Sequence, residues 1–276
     1  AEAKRPVLRF ESANGIKTII FDDPRRLNAW TGPLLMQLRD ELRSSADNDS
    51  VRALVVTGTD PYYCAGVDLS AMVSQFMLPA ALHARLVEQN TALFDMFLTF
   101  PKPLFFAVNG PAIGASVTSA TLGEGIIASE RATFSTPFAA LGLTPEGCSS
   151  VQFAHLMGET AAARMLGEEG WKPTAAEAHG VGLVQSVVPH DELRAAAQAT
   201  AEEWVAAGTP KVLASRGVLE EYRRVNAAES KALADAFLSP SFFDAQARMA
   251  HKKGKTARAA LFSAVKLTRP IWALGL

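Results

Sequence analysis

Cysteine is nearly absent from this sequence: Cys64 and Cys148 are the only two in 276 residues. Two thiols cannot build a disulfide framework, so a reducing compartment is the simpler expectation. Long apolar runs are missing too, and none reaches the roughly 18 residues of a membrane-spanning helix. Net charge is −1, with no block of like charges long enough for a nucleic-acid arm. The one basic cluster, His251-Lys252-Lys253-Gly254-Lys255, reads as a solvated helix end. His83, His155, His179, His190 and His251 lack metal-ligand spacing, so no metal is expected. Gly110-x-x-x-Gly114 has neither the Lys-Ser/Thr of a phosphate loop nor the G-x-G of a dinucleotide turn. Ser149 and Ser150 stand outside any G-x-S-x-G elbow, which leaves a serine hydrolase without support. The first residues, Ala1-Glu2-Ala3-Lys4, do not read as a signal peptide, and Leu274-Gly275-Leu276 is not a Ser-Lys-Leu address.

What is present is apolar material, 49% of the chain, enough for a sizeable core. Val7 to Phe10 and Ile16 to Phe21 are expected as strands around an Asn14-Gly15 turn. Thr31 is the expected N-cap of a helix whose buried face carries Leu34, Leu35, Leu38 and Leu42. Ala53 to Thr57 and Leu104 to Val108 read as buried strands, with a helix from Leu82 to Leu98 between them. A small-residue helix follows from about Gly114 to Leu122, then short strands at Ile126 to Ala128 and Ala132 to Phe134. Thr174-x-x-Glu177 is a capping box, and Leu183 to Val188 is a further strand. After about Asp191 the chain reads as helical throughout. The expectation is an α/β fold with a helical C-terminal part, divided near Pro189 into 1–190 and 191–276.

One segment carries the chemistry. Thr144-Pro145-Glu146-Gly147-Cys148-Ser149-Ser150 sets a lone carboxylate in a Pro-Gly turn among small residues, after a largely apolar stretch from Ala132 to Phe138. Upstream are two glycine-containing loops that each follow an apolar strand, Cys64 to Asp68 and Asn109 to Ala115. Small residues let main chain approach a ligand, and N–H groups at a helix start are not all consumed by the helix. Two of them converging on one oxygen would form an oxyanion hole. With a single acid to move a proton, that combination suggests enolate chemistry. The plainer alternative is that the glycines only make tight turns and Glu146 is an exposed turn acid.

At these residues the chain resembles the crotonase superfamily, the enoyl-CoA hydratase/isomerase family, from about Val7 to Lys255. The landmarks are Pro24-Arg25-Arg26-Leu27-Asn28-Ala29, Tyr63 to Leu69, Pro101-Lys102-Pro103 with Ala107 to Gly114, Ala132 to Pro137, and Thr174 to Ala178 before Gly182-Leu183-Val184. The resemblance implies a crotonase-like spiral of ββα units followed by a helical C-terminal trimerisation region. It also implies an acyl-CoA thioester as substrate, with coenzyme A part of that substrate and no further cofactor. The oxyanion donors carry over to the N–H groups of Val67 and Ala115. Ala29, Ala65, Gly66, Asp68, Leu69, Gly114 and Phe138 fall at substrate contacts. Arg25, Arg26, Lys102, Lys252 and Lys253 are candidates for the CoA phosphates by position, the two C-terminal lysines from a neighbouring subunit. Met72, Phe76, Leu86, Phe94 and Phe97 are candidates for an acyl tunnel, with helix-core packing as the alternative. Cys64, beside the first donor, reads as a small buried thiol.

Departures from the family pattern narrow the reaction. Hydratases hold water with two glutamates, and the matching positions here are Thr118 and Phe138. The Pro-Glu-Gly-Cys-Ser-Ser segment resembles Δ3-Δ2 enoyl-CoA isomerases of the peroxisomal type, which implies Glu146 as the one residue that moves a proton in unsaturated fatty acid β-oxidation. The alternatives are another crotonase reaction, such as a hydratase or thioesterase, and a non-catalytic CoA-binding interaction module like that of chromodomain-Y-like proteins. The resemblance further implies a homotrimer or dimer of trimers. Mitochondrial matrix, peroxisome and bacterial cytoplasm are all open as locations.

Overall fold

Strands β1 (Leu8–Ala13) and β2 (Ile16–Phe21) pair antiparallel across Asn14 and Gly15, which stand at φ 52° and 79°. Two positive-φ residues give the turn whose twist matches that of the strands. The computed structural model describes residues 7–68, 78–214, 216–252 and 254–272; Leu69, Met72, Phe76 and Lys253 lie outside them. Helix α1 (Gly32–Ala46) begins where expected, the Thr31 hydroxyl accepting from the Leu34 N–H at 3.4 Å. Leu34, Leu38 and Leu42 are buried, whereas Leu35 is only half-buried and faces a cavity described below.

The chain then repeats a simple unit of long strand, short extended segment and helix. Strand β3 (Ala53–Gly58) runs into the bridge at Cys64 and Val67, and helix α2 (Pro79–Leu98) follows. Strand β4 (Leu104–Val108) is followed by β5 (Ala112–Ile113) and α3 (Ala115–Ala120). Strand β6 (Gly125–Ser129) is followed by β7 (Phe134–Ser135) and α4 (Phe138–Leu141). The long strands form a sheet in the order β1-β2-β3-β4-β6-β8, parallel everywhere except the first pair, where β8 is Ser186–Val188. The short segments pair with one another: Trp30 with Val67, Cys64 with Ala112, β5 with β7, and Thr133 with Thr174. This is the expected spiral of ββα units.

Strands β3 and β4 are buried on both faces, as parallel strands covered on each side must be. One face carries Val55, Phe105, Ala107 and Ile127 against Leu193, Ala197 and Ala201 of α7 (Leu193–Ala206). The alternate residues, Leu54, Val56, Phe106 and Ala128, enter the main core with α1, α2 and α5 (Ser149–Leu166). Helix α7 lies beyond residue 190 and packs on the sheet.

Three sequence expectations change in detail. The strand expected from Leu183 begins only at Ser186, because the Leu183 and Val184 N–H groups both bond the Ala178 carbonyl as the chain leaves α6 (Ala175–Gly180). The capping box that starts α6 is present, with the Thr174 and Glu177 side chains bonding each other's main-chain N–H. The helical run after Asp191 is interrupted at Gly208, which takes φ 64°, and by Pro210; a 3-10 turn at Val212–Ala214 follows before α8 (Arg216–Phe237), α9 (Pro240–Lys252) and α10 (Thr256–Trp272). Finally, Lys102 is not free for a ligand: its ammonium donates to the Ser45 and Asn48 carbonyls, each at 2.7 Å, at the end of α1.

Candidate active site

Two loops meet because a residue without a side chain stands between them. Gly66 has φ 83°, and a Cβ there would fall 2.6 Å from the Ile113 carbonyl oxygen. The close approach sets the loop after β3 against the start of α3. Trp30 N–H bonds the Gly66 carbonyl at 2.8 Å and Asp68 N–H bonds the Trp30 carbonyl at 3.1 Å. Alternation along that extended segment turns the intervening Val67 N–H away from Trp30. Ala115 is the first residue of α3, where no preceding turn supplies an acceptor. Neither N–H has a hydrogen-bond acceptor among the described residues. Both residues line one cavity of about 530 Å³.

Glu146 lines the same cavity from the opposite stretch of chain and is only 7% exposed. Its turn is tight: the Ser149 N–H and hydroxyl both bond the Glu146 carbonyl, at 3.2 and 2.7 Å. Gly147 and Cys148 follow in the left-handed region at φ 67° and 62°. A Cβ on Gly147 would lie 2.4 Å from the Phe94 ring and 2.7 Å from the Thr118 hydroxyl. No hydrogen bond from a described residue reaches the Glu146 carboxyl. Burial pushes its pKa up to about 8, and the negative charge of nearby Glu229 adds to the effect. Glu146 is therefore a carboxyl poised to change protonation near neutral pH, not an exposed turn acid.

The cavity wall takes in a group of the residues singled out from sequence. Ala65, Gly66, Asp68, Gly114 and Phe138 all line it beside Val67, Ala115 and Glu146. Arg25, Arg26, Ala29 and Lys252 do not; the three basic residues are exposed, Arg25 and Arg26 in a 3-10 turn and Lys252 at the end of α9. Of the described tunnel candidates Leu86 lines the cavity, while Phe94 and Phe97 are fully buried core residues one helical face away. On α2 the lining positions are instead Leu82, Leu86, Asn90 and Leu93, at helical spacing. Sequence reasoning missed Trp30, Asn90, Arg39 and Arg85, and missed Leu233 and Phe237 of α8. The spacing of Leu35, Met36 and Arg39 was the available signal on α1. Nothing local marked α8 as part of the wall.

Phe138 is buried and lines the cavity; Thr118 is fully buried and does not line it, its hydroxyl bonding the Ala115 carbonyl at 3.3 Å. Among the described lining residues the acids are Asp68 and Glu146. Both thiols are buried. The Cys64 sulfur accepts from the Gly66 N–H at 3.3 Å, and burial pushes its pKa up to about 12, so it stays a thiol. Ser129, His190 and Asp60 form a hydrogen-bonded line of 2.9 and 3.1 Å. Ser129 is fully buried and does not line the cavity, so the line ties β6 to the chain beyond β3 and offers no nucleophile. Among the described residues no cluster of His, Cys, Asp or Glu could hold a metal ion, and no described helix is long and apolar enough to cross a membrane.

Comparison with known proteins gives the following. A family model described as Enoyl-CoA hydratase/isomerase matches residues 11–260. Enoyl-CoA delta isomerase 2 of Homo sapiens is 33% identical over 253 residues, 88% of this chain and 63% of that protein. The 2,3-dehydroadipyl-CoA hydratase of Escherichia coli (strain K12) is 34% identical over 168 residues, 61% of this chain and 64% of its own. The chain thus spans less than two thirds of the length of these curated relatives. Among solved structures, an enoyl-CoA hydratase/isomerase from Pseudoalteromonas atlantica T6c superposes with a TM-score of 0.76 at 27% identity, covering 89% of this chain and 97% of that one.

Proposed function

The chain belongs to the enoyl-CoA hydratase/isomerase family, and from that membership and the geometry around Glu146 we infer that it is a Δ3-Δ2 enoyl-CoA isomerase. The observation that carries the inference is the pairing of one buried, protonatable carboxyl with two unpartnered main-chain donors on a single cavity. A 3-enoyl-CoA is acidic at C2, between the thioester carbonyl and the double bond. Glu146 as carboxylate removes a C2 proton. The dienolate charge gathers on the thioester oxygen, where the Val67 and Ala115 N–H groups hold it. The carboxylic acid so formed returns the proton to C4, and the double bond moves into conjugation as the 2-trans-enoyl-CoA. One residue serves first as base and then as acid, which suits a pKa near the working pH. Each main-chain donor of this kind contributes about 10²–10³ in rate.

The surroundings support isomerisation over hydration. Adding water across the double bond calls for a second acid to hold it, and Thr118 and Phe138 stand at the two positions where the family's hydratases carry glutamates. Phe138 presents a ring to the cavity instead. The aliphatic side chains of α2 and α8 at the far wall suit an acyl chain. The substrate is an acyl-CoA thioester, and the proton shift needs no further cofactor. A role in unsaturated fatty acid β-oxidation and assembly as a trimer or a dimer of trimers follow the same reading.

The test is a spectroscopic assay of trans- and cis-3-enoyl-CoA of several chain lengths, beside hydration of a 2-enoyl-CoA. Native protein is expected to isomerise the former and leave the latter. Glu146→Gln is expected to abolish isomerisation while CoA binding and folding persist; native turnover by that variant would overturn the assignment.

A further inference from the structure

We propose that Glu229 is a positioning residue for Glu146, holding the catalytic turn from the C-terminal helix α8 through the amides of Cys148 and Ser150. The claim rests on the isomerase reading for what the turn does, and on geometry for what holds it. The two Glu229 oxygens are divided between the two amides: Oε2 accepts from Cys148 N–H at 2.6 Å and Oε1 from Ser150 N–H at 2.9 Å. These N–H groups stand at the start of α5, where the helix itself offers them no acceptor. Glu229 thus clamps the two residues that follow the Glu146-Gly147 step.

Three further features of the site agree. Cys148 adopts φ 62° without being glycine, a conformation that persists only where its surroundings impose it. The clamp is one such constraint; the bond from the Cys148 sulfur to the Tyr222 carbonyl of α8, at 3.3 Å, is a second. Glu229 is itself buried, and a buried carboxylate is tolerated only with hydrogen bonds to satisfy it. Its partners are the Ser150 hydroxyl and the two amides of this turn. Lastly, its charge acts on the base: Glu229 beside Glu146 favours the protonated form of the latter, after burial, and burial likewise raises Glu229. The other ionisable groups around the pair are the Cys148 thiol on the turn, held protonated by burial, Glu229 and Asp95, and Asp95 of α2, which faces Arg223 at 3.3 Å. Among the described residues no cation acts on either carboxyl. The clamp therefore both aims the catalytic acid and keeps its titration high.

The test compares native protein, Glu229→Gln and Glu146→Gln, each carrying ¹³C-labelled glutamate side chains, with the Glu146 resonance assigned by its loss in the last. Glutamine can accept from one amide and must turn its NH₂ toward the other. The expected result for Glu229→Gln is a Glu146 midpoint moved to lower pH, a kcat reduced on the order of tenfold and a KM within about twofold of native. A native midpoint together with a native kcat overturns the proposal, as does a fall in kcat that only tracks the folded fraction with the midpoint unmoved. Native protein supplies an arm that needs no variant to fold: the Glu146 carboxyl carbon is expected to titrate in two steps, its own and a smaller one reporting Glu229, and a single step overturns the coupling. If native protein isomerises no 3-enoyl-CoA, the functional reading fails by itself and the two midpoints still decide whether Glu229 governs Glu146.

Discussion

Replacing Glu146 by glutamine should make the protein more stable at alkaline pH even as it removes activity. Glu146 ionises near 4.5 in an unfolded chain and near 8 in the fold, chiefly because burial penalises the charge. Between those values the folded protein holds a proton that the unfolded chain has released, so raising the pH favours unfolding. The stabilisation is whole below 4.5 and is lost as pH rises through 8. At about 1.4 kcal/mol per unit of pH, the two units below the folded midpoint give a loss on the order of 3 kcal/mol between about pH 6 and pH 9. Glutamine has no proton to lose, and whatever its amide costs in packing is the same at every pH. The measurable quantity is thus a difference of differences: native minus variant stability, from urea unfolding followed by circular dichroism, at intervals from pH 6 to pH 9. Groups that titrate alike in both proteins cancel. The variant is expected to gain on the native protein by about 2–3 kcal/mol across that range. A difference that stays flat would mean that the carboxyl ionises at its ordinary value, and the case for a poised base would go with it.

Two further outcomes follow from the same geometry. The native kcat/KM for 3-enoyl-CoA should rise with pH and level off above about 8, because the free enzyme's base must be ionised to take the C2 proton; a profile flat from pH 6 to pH 9 would remove Glu146 from that role. Gly66→Ala should lower kcat/KM by about 10²–10³ with little loss of secondary structure, since its Cβ would meet the Ile113 carbonyl at 2.6 Å and part the two donor loops; near-native turnover by that variant would show that the loops do not set the donor geometry.

The spiral was legible because its signals are local. Asn14-Gly15 makes a hairpin turn, Thr31 and Thr174 cap helices, and the apolar runs at Ala53 and Leu104 are long enough only for buried strands. The acid and the two donor loops were legible for the same reason, as a carboxylate in a Pro-Gly turn and glycines after strands. What escaped was what depends on chain far away. Leu35 belongs to the apolar periodicity of α1, yet it faces a cavity whose other wall lies on α2 and α8. Lys102 looked available for a phosphate, but its target is the carbonyl end of α1, more than 50 residues earlier. Glu229 looked like any acid on an amphipathic helix, and only folding sets it 2.6 Å from the Cys148 amide. A pKa is a property of the assembled environment, so a raised one cannot be read from a heptapeptide.

The division of labour in the site follows from which atoms can be moved by mutation. The two donors are main-chain groups, fixed by the way successive turns of the spiral pack, and side-chain exchange at Val67 or Ala115 leaves an N–H in place. What remains free to vary is where an acid stands around the cavity that the donors face. With Thr118 and Phe138 uncharged, the acids on the cavity wall among the described residues are Asp68 and Glu146, and the buried one, Glu146, reaches the cavity from a turn that α8 clamps. That helix lies in the part of the chain which the sequence pattern alone would set apart as an appendage. Its carboxylate on the Cys148 and Ser150 amides, and its Leu233 and Phe237 on the cavity wall, make it part of the site instead. Helix α8 therefore does more than cover the spiral: it holds the turn that carries Glu146 and adds to the proton affinity that burial chiefly raises.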